Sequence, residues 1–142
     1  MLEIRSKLDV TADIDKGELR KLDGKLLVDI QGELEIIISG KRFFYEPSLA
    51  LLEFAAVLKR WDGKENLCYF TMEHDESEGP ILAFTHEGRD EWELYSIWQE
   101  YEITEWISGE VIRDTVKHFL DDFNTQLEKH YYFTMERFLR ED

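Results

Sequence analysis

Strict alternation of apolar and polar residues marks the N-terminal part of the chain. Period-two patterning of this kind predicts a half-buried β-strand with one wet face. One face of this predicted strand holds Leu2, Ile4, Ser6, Leu8, Val10, Ala12 and Ile14. The alternation resumes from Lys25 to Ser39 and keeps its parity across Gly32, which predicts one long strand bent at that glycine. A short strand over residues 42–46 follows.

Two helices are predicted from the remaining periodicity. Pro47 suits the first turn of a helix over residues 48–61, whose apolar side chains cover nearly its whole circumference. Such a helix must be buried on more than one side, by the second helix or by another subunit. Ser108 is predicted to cap that second helix. Continued to Arg140, it would exceed the width of a compact domain, so we expect a break near residues 130–133 or an overhang that meets a partner.

Between the helices, strands are predicted over residues 67–73, 81–86 and 91–99, and a further one over 101–105. Short turns join these strands, which is typical of antiparallel pairing. The predicted fold class is therefore α+β, as one domain of residues 1–142. We expect a two-layer sandwich, in which two helices cover one face of a mainly antiparallel sheet of six or seven strands.

Charge is concentrated in the second half of the chain. Residues 1–66 carry 11 basic and 13 acidic residues, whereas residues 67–142 carry 6 basic and 19 acidic residues. Residues 73–110 contain twelve acidic residues and a single basic one, Arg89. A field of this sign repels nucleic acid and anionic membranes and attracts basic proteins.

Motifs for metal or cofactor chemistry are absent from the sequence, so no cofactor and no catalytic residue is predicted. Asp114, His118 and Asp122 have helical spacing, but their stripe lies opposite the apolar one and is predicted to be solvated. The single cysteine, Cys68, lies in an apolar run and is predicted to be a buried thiol. The N-terminus lacks a signal-peptide pattern, and we expect a cytoplasmic protein.

Aromatic residues accompany the acids in the run EWELYSIWQEYEITEW, residues 91–106. Trp92 and Trp98 share a strand face that is predicted to point into the core, whereas Tyr101 and Trp106 are predicted to be more exposed. A small carbohydrate hydrolase also combines carboxylates with aromatic platforms, with Glu100 or Glu102 as candidate residues. This enzyme remains the minority alternative.

The favoured hypothesis is a non-enzymatic binding protein that docks on a basic protein target. The candidate contact residues are Glu73, Asp75, Glu76, Glu78, Glu87, Asp90, Glu91, Glu93, Tyr95, Tyr101 and Trp106. The runs PILAF at residues 80–84 and EWELYSIWQ at 91–99 resemble small uncharacterised bacterial families. In size, acidity and aromatic content the chain is also similar to immunity proteins of bacterial toxin systems, which implies an inhibitor-type role.

A homo-oligomeric structural or regulatory protein is the second hypothesis. It follows from the apolar first helix and from an aromatic C-terminal run in which Tyr132 and Phe133 point away from the helical stripe. Tyr132 and Phe133 are therefore candidate self-association residues of a homodimer, although closure of the protein's own core would also account for them.

Overall fold

The computed structural model describes residues 1–11, 13–70 and 76–140, with Glu76 described in its backbone only. In this part of the chain seven strands form two antiparallel sheets. The first sheet has the order β1–β2–β3 and consists of β1 (Leu2–Leu8), β2 (Gln31–Ile38) and β3 (Lys41–Ala50). The second has the order β4–β5–β6–β7 and consists of β4 (Leu67–Tyr69), β5 (Leu82–His86), β6 (Glu91–Tyr95) and β7 (Ile107–Ser108).

Five helices accompany the sheets in the described residues. They are α1 (Lys16–Lys21), α2 (Leu26–Asp29), α3 (Leu51–Arg60), α4 (Gly109–Tyr131) and α5 (Met135–Arg140), with a 3₁₀ turn at Glu76–Glu78. The α+β class and the antiparallel pairing are thus confirmed. The prediction of a single sheet of six or seven strands with two helices on one face is wrong.

Helix α3 packs against both sheets. Phe54 packs edge-on against Tyr69 of β4 and against Phe119 of α4, with ring centroids 5.1 and 5.5 Å away. At its end, Trp61 packs on Phe84 of β5 at 5.5 Å. One hydrophobic cluster therefore runs through both sheets and the two long helices. The expectation that α3 is buried on several sides is confirmed, and elements of the same chain cover it.

The first sheet corrects two predicted boundaries. Strand β1 keeps its alternation but ends at Leu8, and the predicted strand over residues 25–39 begins only at Gln31. Leu26–Asp29 is instead a short helix. Leu26 and Ile30 share strand parity but are also four residues apart, so the same pattern fits one helical face. Gly32 lies where β1 comes close, since a Cβ there would stand 2.2 Å from the Lys7 carbonyl oxygen.

Strand β3 is longer than predicted and includes Pro47, which was expected to start a helix. The strand lies at the edge of its sheet, where a residue without an N–H can be accommodated without the loss of a ladder hydrogen bond. Helix α3 consequently begins at Leu51, three residues later than residue 48.

The second sheet has shorter strands than the alternation predicts. Strand β6 ends at Tyr95, and residues 101–105 form no strand. A hairpin loop at residues 76–79, the interpretation that the acid-rich turn favours, predicts that His86 lies opposite Tyr69 and His74 opposite Ile81. This register is wrong because Leu82 is the partner of Tyr69. The predicted partner of Ile81, His74, lies outside the described residues.

Helix α4 follows the sequence prediction closely. Ser108 Oγ accepts a hydrogen bond from the Val111 N–H, and the stripe from Ile112 to Leu127 is buried. The helix ends where a break was expected. Tyr132 has a φ of 62°, a left-handed cap that turns the chain into α5.

The outer edge of β1 is covered by side chains of α4. Gln126 Oε1 accepts a hydrogen bond from the Leu8 N–H at 3.1 Å, and its Nε2 donates to the Ser6 carbonyl oxygen at 3.0 Å. Thr115 Oγ1 donates to the Leu2 carbonyl oxygen at 3.3 Å. These side chains occupy backbone groups that a neighbouring strand would otherwise bind.

Candidate functional site

The outward face of the second sheet carries the acidic residues of β6. Alternation along this strand buries Trp92 and Leu94 and exposes Glu91, Glu93 and Tyr95. Tyr95 retains 46% of its surface. Because these three side chains stand on a paired strand, their positions are fixed by the sheet rather than by a loop.

Two further acidic residues border this strand face. Glu87 is exposed in the turn between β5 and β6, and Glu78 is exposed at the end of the 3₁₀ turn. Gly79, next to Glu78, lies near β6, since a Cβ there would stand 4.0 Å from the Tyr95 hydroxyl oxygen. We call the surface formed by Glu78, Glu87, Glu91, Glu93 and Tyr95 the acidic face.

The carboxylates of the acidic face make no ion pair and accept no hydrogen bond within residues 1–11, 13–70 and 76–140. Some acidic residues elsewhere differ in this respect. Arg42 Nε donates to Glu100 at 2.9 Å, and Lys59 lies 2.5 Å from Glu136. The acidic face therefore presents charge that the fold leaves available to a partner.

Asp90, a predicted contact residue, is bound by other side chains of the fold, although its own side chain is 56% exposed. Arg113 donates to both Asp90 carboxylate oxygens, at 3.3 and 3.1 Å, and Trp92 Nε1 donates to Oδ1 at 3.0 Å. The Arg113 bonds, and after them the Trp92 bond, lower the pKa of Asp90 from its ordinary value. No side chain fits at Gly109 beside this carboxylate, since a Cβ would stand 1.9 Å from Oδ1.

Three aromatic residues between positions 98 and 106 have different environments. Trp98 retains 44% of its surface, contrary to the predicted core position, and stacks on Phe44 at 6.4 Å. Trp106 is 53% exposed, as expected. Tyr101 is half-buried, because its hydroxyl donates to the Ile38 and Lys41 carbonyl oxygens and its ring packs edge-on against Phe43.

Tyr101 and Trp106 line the same groove, which has a volume of about 830 Å³. We call this feature the 101–108 groove. Its walls are Met1, Leu2, Ile38, Ser39, Lys41, residues 101–108 and Val111. It adjoins the acidic face, because Trp106 directly precedes Ile107, the partner of Trp92, and Ser108 pairs with Glu91.

Several predicted residues are not brought to either surface. Glu73 and Asp75 lie outside the described residues, and so does the side chain of Glu76. Phe133 is 3% exposed and contacts Phe138 at 6.1 Å, so it closes the protein's own core and cannot be the predicted dimer contact. Tyr132 is 82% exposed.

Cys68 is exposed, contrary to the predicted buried thiol. It pairs with Ala83, which pairs in turn with Tyr95, so its side chain lies on the outward side of the sheet. The apolar run around Cys68 suggested a core position because its neighbours Leu67 and Tyr69 do face inward. A strand of three residues is too short for alternation to reveal this.

A buried polar pair was missed from the sequence. Tyr69 donates its hydroxyl to Glu53 Oε1 at 3.0 Å, and both side chains are buried. Burial first, and then the neighbouring Glu53 carboxylate, raise the pKa of the Tyr69 phenol, which keeps the proton on the donor. The only sequence signal was a lone carboxylate in an otherwise apolar helix segment.

Metal chemistry finds no support in the part of the chain that is described. No group of three His, Cys, Asp or Glu side chains there could hold a metal ion. Asp114, His118 and Asp122 are exposed on α4, as predicted. None of the helices in the described ranges is long and apolar enough to cross a membrane.

Residues 4–129 match the model of a family described as a domain of unknown function, DUF7878. The chain belongs to this family. The matched segment contains the acidic face and all of the 101–108 groove except Met1 and Leu2, whereas α5 lies beyond it. No curated protein and no solved structure was found to match the chain.

Proposed function

We propose that this family member is a non-enzymatic binding protein of the inhibitor or immunity type, which docks on a basic protein through the acidic face. One observation carries the proposal. Glu91 and Glu93 are exposed on a paired strand and are not neutralised within the described residues, although bases such as Arg42 and Arg113 neutralise other acids.

The physical advantage of this arrangement lies in the rate and specificity of association. Several like charges on one surface steer an oppositely charged protein toward it and raise the rate of encounter. Tyr95 adds an exposed aromatic ring among these charges, and partly exposed tyrosines are common anchors in protein interfaces. Because the strand is already ordered, little conformational entropy is lost on binding.

The experiment compares two variants that remove the same charge from different surfaces. The first changes Glu87, Glu91 and Glu93 to Gln. The second is the matched control, in which Asp114→Asn, Asp121→Asn and Glu128→Gln alter exposed residues of α4 whose carboxylates make no ion pair in the described structure. Proteins retained from a cell lysate on each immobilised chain are quantified at low and moderate salt.

We expect one basic protein to be retained by the native chain and by the control. The acidic-face variant should lose about tenfold or more in its association rate with that protein, with a weaker salt dependence. Equal loss in both variants would show that only net charge matters. Retention of no basic protein at moderate salt would also contradict the proposal.

The apolar helix and the aromatic C-terminal run, on which the homo-oligomer prediction is based, both pack within one chain. Helix α3 is covered by both sheets and α4, and Phe133 by its own core. A homodimer therefore remains a prediction that would rest on Tyr132. For the hydrolase alternative, Glu102 remains a candidate residue because it is exposed at the 101–108 groove. Glu100 is bound by Arg42.

A further inference from the structure

The 101–108 groove has the size and lining of a binding site. Its volume of about 830 Å³ lies within the range of pockets that hold ligands or several side chains. Its apolar wall consists of Leu2, Ile38, Ile103, Ile107 and Val111. An exposed indole, Trp106, stands beside this wall.

The wall of the groove is held in place before any ligand arrives. Tyr101 ties the groove segment to the turn between β2 and β3 through hydrogen bonds to the Ile38 and Lys41 carbonyl oxygens. The Glu100 N–H donates to the Phe43 carbonyl oxygen at 2.8 Å. At the other end of the segment, Ile107 is paired in the sheet. An ordered site of this kind binds with a lower entropic cost than a mobile loop.

Two carboxylates of the groove can pair with a cationic group of a ligand. Glu102 and Glu105 line it, are exposed, and make no ion pair in the described parts of the chain. The ammonium group of Lys41, the one basic side chain of the lining, lies over the Tyr101 ring at 4.2 Å. This contact shows that an aromatic ring of the groove already holds a cation. Trp106, which is 53% exposed, is a second aromatic ring of the groove to which a cation can bind.

We propose that the 101–108 groove receives a segment of the basic partner in which an arginine or lysine is flanked by an apolar residue. The cationic group lies against Trp106 and pairs with Glu102 or Glu105, while the apolar residue packs on Ile103 and Ile107. Continuity with the acidic face through Ile107 and Ser108 places this anchor beside the surface that steers the partner. The inference rests on the proposed function and names the part of the partner that is recognised.

The test uses random peptides displayed on phage and selected against the full chain. We expect the enriched peptides to share an arginine or lysine within two residues of an aliphatic or aromatic residue. Their affinity should fall about tenfold or more for Trp106→Ala and for Glu102→Gln combined with Glu105→Gln. Tyr132→Ala, which removes another exposed aromatic side chain, is the control and should leave the affinity unchanged.

The cationic requirement is tested separately with one synthetic peptide of the enriched sequence. Replacing its arginine by citrulline, or its lysine by norleucine, should weaken binding about tenfold or more. Circular dichroism verifies that each protein variant is folded. Selected peptides without a basic residue, peptides that bind Trp106→Ala as tightly as the native chain, or selection without a shared sequence would each overturn the inference.

The experiments give different results when the groove inference is wrong and when the proposed function is wrong. If the whole partner is lost by the Glu87, Glu91 and Glu93 variant but is bound normally by the groove variants, the groove inference is wrong and the proposed function stands. If peptides require the groove while no basic protein depends on the acidic face, the proposed function is wrong and the groove binds a ligand independently.

Discussion

Replacing Phe133 by alanine should destabilise the monomeric fold. The Phe133 ring is 3% exposed and packs on Phe138. Burial of an aromatic side chain removes about 150–250 Å² from water, which at about 25 cal/mol per Å² is worth roughly 4–6 kcal/mol as an upper value. The alanine side chain retains part of this burial free energy, and the truncation leaves a cavity. We therefore expect a loss of about 3–5 kcal/mol in the free energy of unfolding.

The neighbouring residue provides the matched comparison. Tyr132 is 82% exposed and has a φ of 62°, a conformation that costs a residue with a side chain about 1–2 kcal/mol and that glycine adopts freely. Tyr132→Gly should therefore leave the stability unchanged or raise it by up to about 1 kcal/mol. Phe133→Ala should therefore lower the free energy of unfolding, whereas Tyr132→Gly should not.

Urea denaturation followed by circular dichroism measures both stabilities, and sedimentation velocity at two protein concentrations measures the oligomeric state. The native chain is expected to have a free energy of unfolding of about 7–20 kcal/mol, so both changes are resolvable. A loss below about 1 kcal/mol for Phe133→Ala, combined with dissociation of an oligomer, would refute the core assignment. Dissociation of a dimer by Tyr132→Gly alone would support the homodimer prediction.

Three further predictions concern the two sheets and helix α4. Gly32→Ala should cost about 3 kcal/mol because its Cβ would meet the Lys7 carbonyl oxygen, whereas Gly24→Ala, with open space around it, should be nearly neutral in the same denaturation experiment. Gln126→Leu should cost about 1–2 kcal/mol and speed aggregation in light scattering, because it frees the edge of β1; unchanged aggregation would contradict the protective role. The lowered pKa of Asp90 stabilises the fold above the ordinary carboxyl pKa of 3.8, and this contribution is lost as the pH falls through the folded-state pKa. The stability difference between the native chain and Arg113→Gln should accordingly shrink below pH 3.8, and a constant difference would argue against the pair.

Periodicity predicted those elements whose apolar pattern agrees with only one structure. The alternation from Leu2 to Leu8 forms a strand, and the stripe of α4 is compatible with a helix alone. Leu26 and Ile30 are different, since they have equal parity and are also one helical turn apart. Local pattern could not distinguish the two conformations there, and packing against the core decides in favour of the helix.

The site was predicted where exposure follows from alternation and not where it depends on distant contacts. Glu91, Glu93 and Tyr95 are exposed because Trp92 and Leu94 are buried. The neutralisation of Asp90 depends on Arg113, 23 residues away in the sequence, and the groove depends on a turn about 60 residues before its main wall. Contacts of this range leave no signal in the spacing of residues.

The covering of β1 by α4 also determines when the chain can finish folding during its synthesis. Strands β1 to β3 are complete at Ala50, but Gln126, which binds the backbone of β1, follows about 80 residues later. At about 5–20 residues per second, the ribosome needs on the order of 4–16 s to make that interval. Until then the outer edge of the nascent first sheet has no cover, and residues 1–66 have a net charge of only −2 with which to repel other chains. A chaperone would be needed most early in this window, before the acidic residues between 73 and 110 have been made.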